Sequence, residues 1–175
     1  MDKGCIHIYT GDGKGKTTAC VGLSVRLAGA GEKVVFTQFL KDNTSSEISV
    51  ISSLPNVEFV PNDRTFGFTF LMTEEEKKDA AEYYRKHFQQ AVDKAIELDA
   101  RMLVLDEIIS VYNEGLVDRE EVCKFLKEKS PRLEVVLSGR DPAGELIDLA
   151  DYVTEAKKIK HPFDAGMPAR KGIEY

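Results

Sequence analysis

Apolar residues recur along this chain in two rhythms. Short runs rich in branched and aromatic side chains end at Tyr9 and cover Lys33 to Phe39, Val57 to Val60, Arg101 to Asp106 and Leu133 to Leu137. Runs of this length, bounded by turn residues, predict strands, and Asp151 to Glu155 reads as a last one. Between them lie stretches with helical spacing, at 16–30, 45–54, 73–98, 118–129 and 144–150. The first is ended by Gly29 and Gly31. The third opens on Thr73-Glu74-Glu75-Glu76, a capping box with acids in its first turn. The fourth opens on Asp118-x-x-Glu121 and is broken by Ser130-Pro131. Strand alternates with helix, and no repeat or linker interrupts the order. The pattern predicts an α/β fold, a mainly parallel sheet with helices on both faces, in a single domain over 1–175.

The join between the first strand and the first helix carries the strongest chemical signal. Tyr9 is followed by Thr10-Gly11-Asp12-Gly13-Lys14-Gly15-Lys16-Thr17-Thr18. Strand, glycine-rich turn, Lys-Thr and helix, in that order, describe a phosphate-binding loop. The glycines let successive N–H groups point inward at an anionic oxygen, and the helix start adds the positive end of its dipole. Lys16 contributes a full charge, and the Thr17 hydroxyl is placed to ligate Mg²⁺. Nucleotide contacts are therefore expected from Thr10 through Thr18. In the usual pattern G-x-x-x-x-G-K-[ST] the first glycine would fall on Thr10, so the loop is a shortened variant.

Other strand ends add candidates, because ligands of open α/β sheets bind at the carboxyl ends of the strands. Gln38 and Lys41 follow the second strand. Asp106-Glu107 follows the apolar Met-Leu-Val-Leu run and supplies a carboxylate for Mg²⁺, directly or through water. The alternative for Asp106 is a helix N-cap. Arg140, in Ser138-Gly139-Arg140, can meet a phosphate. Residues 61–72 are irregular. Phe66, Phe68 and Phe70 alternate there, which fits an edge strand tucked onto the core or the lining of a flat apolar pocket. Arg26 is expected in solvent, and His87 at the surface or packed within its helix. The tail from Lys160 is basic, aperiodic and rich in turn residues, with disorder as the alternative.

Composition narrows the class. The chain has 175 residues, 42% apolar and 31% charged, with a net charge of −6. That balance argues against a general nucleic-acid or membrane surface. No apolar run approaches the ~20 residues of a membrane span, and Met1-Asp2-Lys3-Gly4 leads straight into the first strand, so neither span nor signal peptide is expected. Cys5, Cys20 and Cys123 show no metal-ligand spacing and are expected as buried thiols in a reducing cytoplasm.

Taken together, these segments resemble the ATP:corrinoid adenosyltransferases of the cobalamin-pathway type. The carrying pieces are 9–19, Gln-Phe-Leu-Lys at 38–41, Gly-Phe-Thr-Phe at 67–70, Leu-Val-Leu-Asp-Glu at 103–107, Ser-Gly-Arg at 138–140 and 148–155. The closing His-Pro-Phe-Asp-Ala-Gly (161–166) with Lys-Gly-Ile-Glu-Tyr (171–175) is the most specific, and the match covers nearly the whole chain. The resemblance implies a phosphate-loop NTPase, RecA-like fold. It implies transfer of the 5′-deoxyadenosyl group of ATP to Co(I) of a reduced corrinoid, with release of triphosphate. ATP and corrinoid are then substrates, Mg²⁺ a cofactor, an external reductant such as a flavoprotein a partner, and a homodimer the expected assembly. It further implies a nucleotide held in reverse sense relative to most phosphate-loop proteins. It implies an aromatic pair, here Phe68 and Phe70, that displaces the corrinoid's lower axial ligand; relatives often carry tryptophan at the second position. Relatives also often carry an N-terminal helix over the site, so another segment is expected to cover the corrinoid here, or the site to be more open. The implied catalytic residues are Lys16, Phe68 and Phe70, and the metal residues Thr17 and Glu107, with Asp106 the alternative carboxylate. The rival readings are a small nucleoside or nucleotide kinase, which would need an Arg-rich lid, and a non-enzymatic nucleotide switch, which would need marked switch loops.

Overall fold

The computed structural model describes residues 3–66 and 69–174. Six strands form one sheet: β1 (Ile6–Thr10), β2 (Val34–Gln38), β3 (Val57–Val60), β4 (Met102–Asp106), β5 (Glu134–Ser138) and β6 (Tyr152–Glu155). Their order is β3-β2-β4-β5-β1-β6, and every pairing is parallel. All five residues of β2 and of β4 are buried, which explains why these strands read as unbroken apolar runs rather than as alternation. At the opposite edge, all four residues of β6 are exposed.

Among the described residues, six α-helices accompany the strands: α1 (Lys16–Gly29), α2 (Ser46–Ile51), α3 (Glu74–Glu97), α4 (Ile108–Asn113), α5 (Arg119–Glu128) and α6 (Gly144–Leu149). Cys20 and Ala28 of α1, with Ile48 and Ile51 of α2, bury Val34, Phe36, Met102, Val104 and Val136 on one face. α3 to α6 cover the other face, where Ala80, Tyr84, His87, Phe88, Ala91, Val92 and Ala95 form the buried stripe of α3. The expected caps are in place. Thr73 Oγ1 accepts from the Glu76 amide at 3.2 Å while Glu76 accepts from the Thr73 amide at 2.7 Å, and Asp118 accepts from the Glu120 and Glu121 amides.

The structure departs from the sequence pattern at four places. α4 has no counterpart among the expected helices, because it is only six residues long and its four buried residues, Ile108, Ile109, Val111 and Tyr112, are too few to set a helical period. No edge strand forms at 61–66 or 69–71: the first stretch is irregular and Thr69–Leu71 is a 3₁₀ turn. Phe66 instead packs on Tyr83 and Tyr84, with ring centroids 5.6 and 5.5 Å apart, under the Arg64 guanidinium. Of the cysteines only Cys20 is buried; Cys5 and Cys123 are half-buried. The tail holds a 3₁₀ turn at Pro162–Ala165 and a closing turn in which the Glu174 amide donates to the Arg170 carbonyl at 2.9 Å.

The sheet register gathers polar groups at one end. Gln38 lies opposite Asp106, and Tyr9 opposite Ser138, so Thr10, Gln38, Asp106 and Ser138 form a buried polar row at the carboxyl ends of β1, β2, β4 and β5. Among the described residues no helix is long and apolar enough to cross a membrane.

Candidate active site

The loop from Thr10 to Gly15 leaves the end of β1 and turns into α1. Gly15 caps the helix at φ +118°, a region L side chains avoid, and contributes no side chain over the amides of the first turn. Those amides are thus left open to an anion. Gly11, at φ +104°, passes so close to the chain after β6 that a Cβ would lie 2.5 Å from the Ala156 carbonyl oxygen. That approach is fastened by hydrogen bonds: Gly13 N donates to Ala156 O at 2.6 Å and Ala156 N to Thr10 O at 2.7 Å. The Lys158 amide donates to Asp12 Oδ1 at 2.9 Å and holds that carboxyl below its usual range.

Lys16 folds back over this loop. Its ammonium donates to the carbonyls of Gly11 (2.8 Å) and Gly13 (3.1 Å). Burial lowers its pKa first; Arg140 adds to that, while Glu107 opposes it. Arg140 is exposed, after β5, and Asn113 Nδ2 donates to its carbonyl at 3.1 Å. Lys14 and Thr18 are exposed, and Arg26 faces solvent on α1.

Thr17 meets the strand ends. Its hydroxyl donates to Asp106 Oδ2 at 3.2 Å. Asp106 is fully buried and heavily bonded: Ser138 Oγ donates to Oδ1 at 2.6 Å, and Gln38 Nε2 to Oδ2 at 3.0 Å. Lys41 Nζ donates to the same Oδ2 at 2.8 Å and to Thr17 Oγ1 at 3.0 Å. Asp106 is therefore engaged with the phosphate loop and is not the helix N-cap; that position falls to Glu107, at φ +64°. The Glu107 carboxylate accepts from Ser110 Oγ at 2.9 Å, away from Thr17's hydroxyl contact. Lys41 stood in the sequence only as a residue at a strand end, and Ser138 only as part of a motif. The hint for both was their place at carboxyl ends whose neighbours the sheet order alone reveals.

A cleft of about 710 Å³ opens beside this cluster. Thr17, Thr18, Leu40, Lys41, Glu47 and Thr65 line it, together with the tail residues Gly172 to Glu174. Phe68 lies outside the described residues, and Phe70 falls within the 3₁₀ turn Thr69–Leu71. The extended backbone that would have set both rings on one side is thus absent at 69–71.

A glycine-rich loop into an uncapped helix, with a lysine, a threonine and a buried aspartate at neighbouring strand ends, defines a phosphate-loop nucleotide-binding protein. The fold agrees. The chain is similar to a KaiC-like protein from Pyrococcus horikoshii OT3, at TM-score 0.53 and 16% identity, over 87% of this chain and 73% of that one. It is also similar to the cytoplasmic domain of the type VII secretion ATPase EccC of Thermomonospora curvata, at TM-score 0.51 and 16% identity, over 95% of this chain and 22% of that one. Sequence comparison is more specific. Residues 2–175 match the family model of the ATP:corrinoid adenosyltransferases BtuR/CobO/CobP. The corrinoid adenosyltransferase of Escherichia coli K12 is 34% identical over 174 residues, 99% of this chain and 87% of that protein. That of a Sinorhizobium species is 37% identical over 181 residues, 99% and 81% respectively. The chain belongs to the ATP:corrinoid adenosyltransferase family. It is a transferase whose substrates are ATP and a corrinoid, and it moves the adenosyl group from the first to the second.

Proposed function

We propose that Co(I) of a reduced corrinoid attacks the ribose 5′ carbon of ATP directly, and that Mg²⁺ accompanies the departing triphosphate at Thr17 and Asp106. A Co–C5′ bond forms as the bond from C5′ to the triphosphate oxygen breaks, and both electrons of the new bond come from cobalt. No protein base is then required. What remains for the chain is positioning and stabilisation of the leaving charge.

The observation that carries the reading is the junction of Thr17 and Asp106, whose oxygens lie 3.2 Å apart with a cation, the Lys41 ammonium, against both. A hydroxyl and a buried carboxylate suit a hard dication that keeps water and phosphate oxygens as its other ligands. When bound, Mg²⁺ neutralises part of the charge gathering on the triphosphate. The uncapped amides of the first turn of α1, Lys16 to Thr18, bind phosphate oxygens, and Lys16 exchanges the Gly11 and Gly13 carbonyls for the triphosphate. Arg140, whose charge is felt at both Lys16 and Asp12, meets a phosphate from the β5 side. Glu107 is a second-choice carboxylate, since it is Asp106 that meets the Thr17 hydroxyl, while Glu107 turns to Ser110.

The same reading gives Phe68 and Phe70 the lower face of the corrinoid. Its support is the neighbouring anchorage: Phe66 is clamped by Arg64 and Tyr83, and Thr65 lines the cleft. A single domain, a cytoplasmic location, an external reductant such as a flavoprotein and a homodimer complete it. Exposed Tyr152 and Val153 on the edge strand β6 are compatible with a second copy there.

Product analysis tests the proposal. Incubated with ATP and a reduced corrinoid, the enzyme should release one triphosphate per adenosylated corrinoid. Formation of ADP with a phosphorylated acceptor would assign a kinase instead, and nucleotide binding with no product would assign a switch.

A further inference from the structure

The chain carries a cation of its own at the junction of Thr17 and Asp106. Lys41 Nζ donates to Asp106 Oδ2 at 2.8 Å and to Thr17 Oγ1 at 3.0 Å, and its side chain is 27% exposed while that of Asp106 is wholly buried. A buried carboxylate without a compensating cation is costly, and the three neutral donors that reach it, Thr17, Gln38 and Ser138, do not neutralise its charge. Lys41 does.

The backbone is shaped to keep it there. Leu40 adopts φ +60°, which is unfavourable for a side chain with a Cβ and turns the chain sharply after β2. Asn62 Nδ2 holds the Lys41 carbonyl at 2.6 Å, and the Phe39 amide donates to the Asp106 carbonyl at 2.8 Å. Two elements far apart in sequence therefore fix the stem of Lys41 while its head faces the phosphate loop. Beside it, the Gln38 amide nitrogen bridges Asp106 and Glu47, and its oxygen, Oε1, is buried and has no partner among the described residues. That is an acceptor waiting at the same junction.

We infer that Lys41 is a resident counter-cation that competes with the divalent metal for Thr17 and Asp106, and so makes metal binding depend on the nucleotide. The inference rests on the reading of Thr17 and Asp106 as the metal residues. Without ATP the ammonium fills the place between the two oxygens, and a dication must displace it against its attraction to a buried charge. With ATP the triphosphate supplies new anionic oxygens for both cations. Lys41 then transfers to the phosphates, and the metal takes its place. Lys41 is thus a positioning residue that prevents premature metal loading.

The test is Mn²⁺ binding without nucleotide, followed by the paramagnetic signal of free Mn²⁺, in the wild type, Lys41→Met, Lys41→Gln and the double variant Lys41→Met/Asp106→Asn. Thermal melting with and without Mn²⁺ is read on the same samples. The wild type should bind Mn²⁺ weakly and gain no melting temperature from it. Lys41→Met should bind at least about tenfold more tightly and be stabilised by the metal, since a ligand of the folded state alone raises its stability. Lys41→Gln, which keeps a neutral donor for Asp106 if Met proves poorly folded, should show the same gain, and the double variant should lose it. Equal Mn²⁺ affinity in the wild type and both Lys41 variants overturns the inference. The underlying metal assignment is tested separately with Mn²⁺ and ATP together: if Asp106→Asn leaves that ternary binding unchanged, the assignment itself is wrong.

Discussion

Replacing Lys16 by alanine separates a role in binding triphosphate from a role in folding. In the nucleotide-free chain the ammonium makes two hydrogen bonds, at 2.8 and 3.1 Å, to the carbonyls of Gly11 and Gly13. Hydrogen bonds to charged groups contribute roughly 1.5–3 kcal/mol each when fully desolvated, but this ammonium is half-buried and forgoes hydration to make them. Burial is the first cause of its lowered pKa, so the two effects largely offset. The loop is also fastened independently through Ala156 and Lys158. Lys16→Ala should therefore change folding stability by no more than about 1 kcal/mol, a shift of roughly 2–4 °C in melting temperature for a chain of this size. The effect on turnover should be far larger. In the proposed reading Lys16 stabilises the triphosphate as it departs, and loss of one preorganised donor at such a site typically lowers the rate about 10²–10³-fold. The assay is kcat/KM for adenosylation of chemically reduced cobalamin, with ATP affinity measured by calorimetry and melting followed in parallel. A folded Lys16→Ala enzyme with near-normal rate and ATP affinity would refute the phosphate-loop role. A large fall in melting temperature with an unchanged rate per folded molecule would make Lys16 a structural clasp.

Three further outcomes are expected. Asp106→Asn should raise the Mg²⁺ concentration needed for half-maximal turnover about 10–100-fold, as expected for loss of a metal-site group, and Glu107→Gln should raise it less, because Asp106 rather than Glu107 meets the Thr17 hydroxyl; the reverse order of effects would move the assignment to Glu107. His87 is buried against Thr37 at 2.7 Å, and burial puts its folded pKa below the ordinary 6.5. The unfolded chain then takes up the proton first, so stability from the neutral ring is complete above about pH 6.5 and is lost as pH falls toward the folded value. Urea titrations between pH 8 and pH 5 should show that loss in the wild type and a flatter profile in His87→Gln, and parallel profiles would count against it. Phe68→Ala should slow the reaction much more when it starts from Co(II) than from preformed Co(I), with Phe70→Ala similar but smaller. Equal losses from both starting states would mean that the rings only hold the corrinoid.

Much of the frame was legible because burial on both faces leaves a plain mark. β2 and β4 are buried through their length and apolar up to their polar carboxyl ends, and the caps at Thr73 and Asp118 advertise the helices they begin. The phosphate loop was legible because its demands are local, within one turn of chain. α4 was not, since it is only six residues long and starts from a glutamate in left-handed geometry, a conformation no local pattern announces. The segment 61–72 was misread where alternation of aromatics suggested a strand, because Phe66 is held by residues of α3 rather than by a neighbouring strand. The pairing of Lys41 with Asp106 was out of reach for a different reason. It depends on β2 and β4 being neighbours although β3 stands between them in sequence.

The central claim is that this chain joins the adenosyl carbon of ATP to cobalt. The most direct measurement is an anaerobic incubation of the purified protein with ATP, Mg²⁺ and chemically reduced cob(I)alamin, followed by its visible spectrum before and after light. The account predicts conversion of the Co(I) spectrum to that of a light-sensitive alkylcobalamin, at a rate that scales with enzyme and requires ATP. A Co(I) spectrum that persists, or decays identically without ATP, would contradict it.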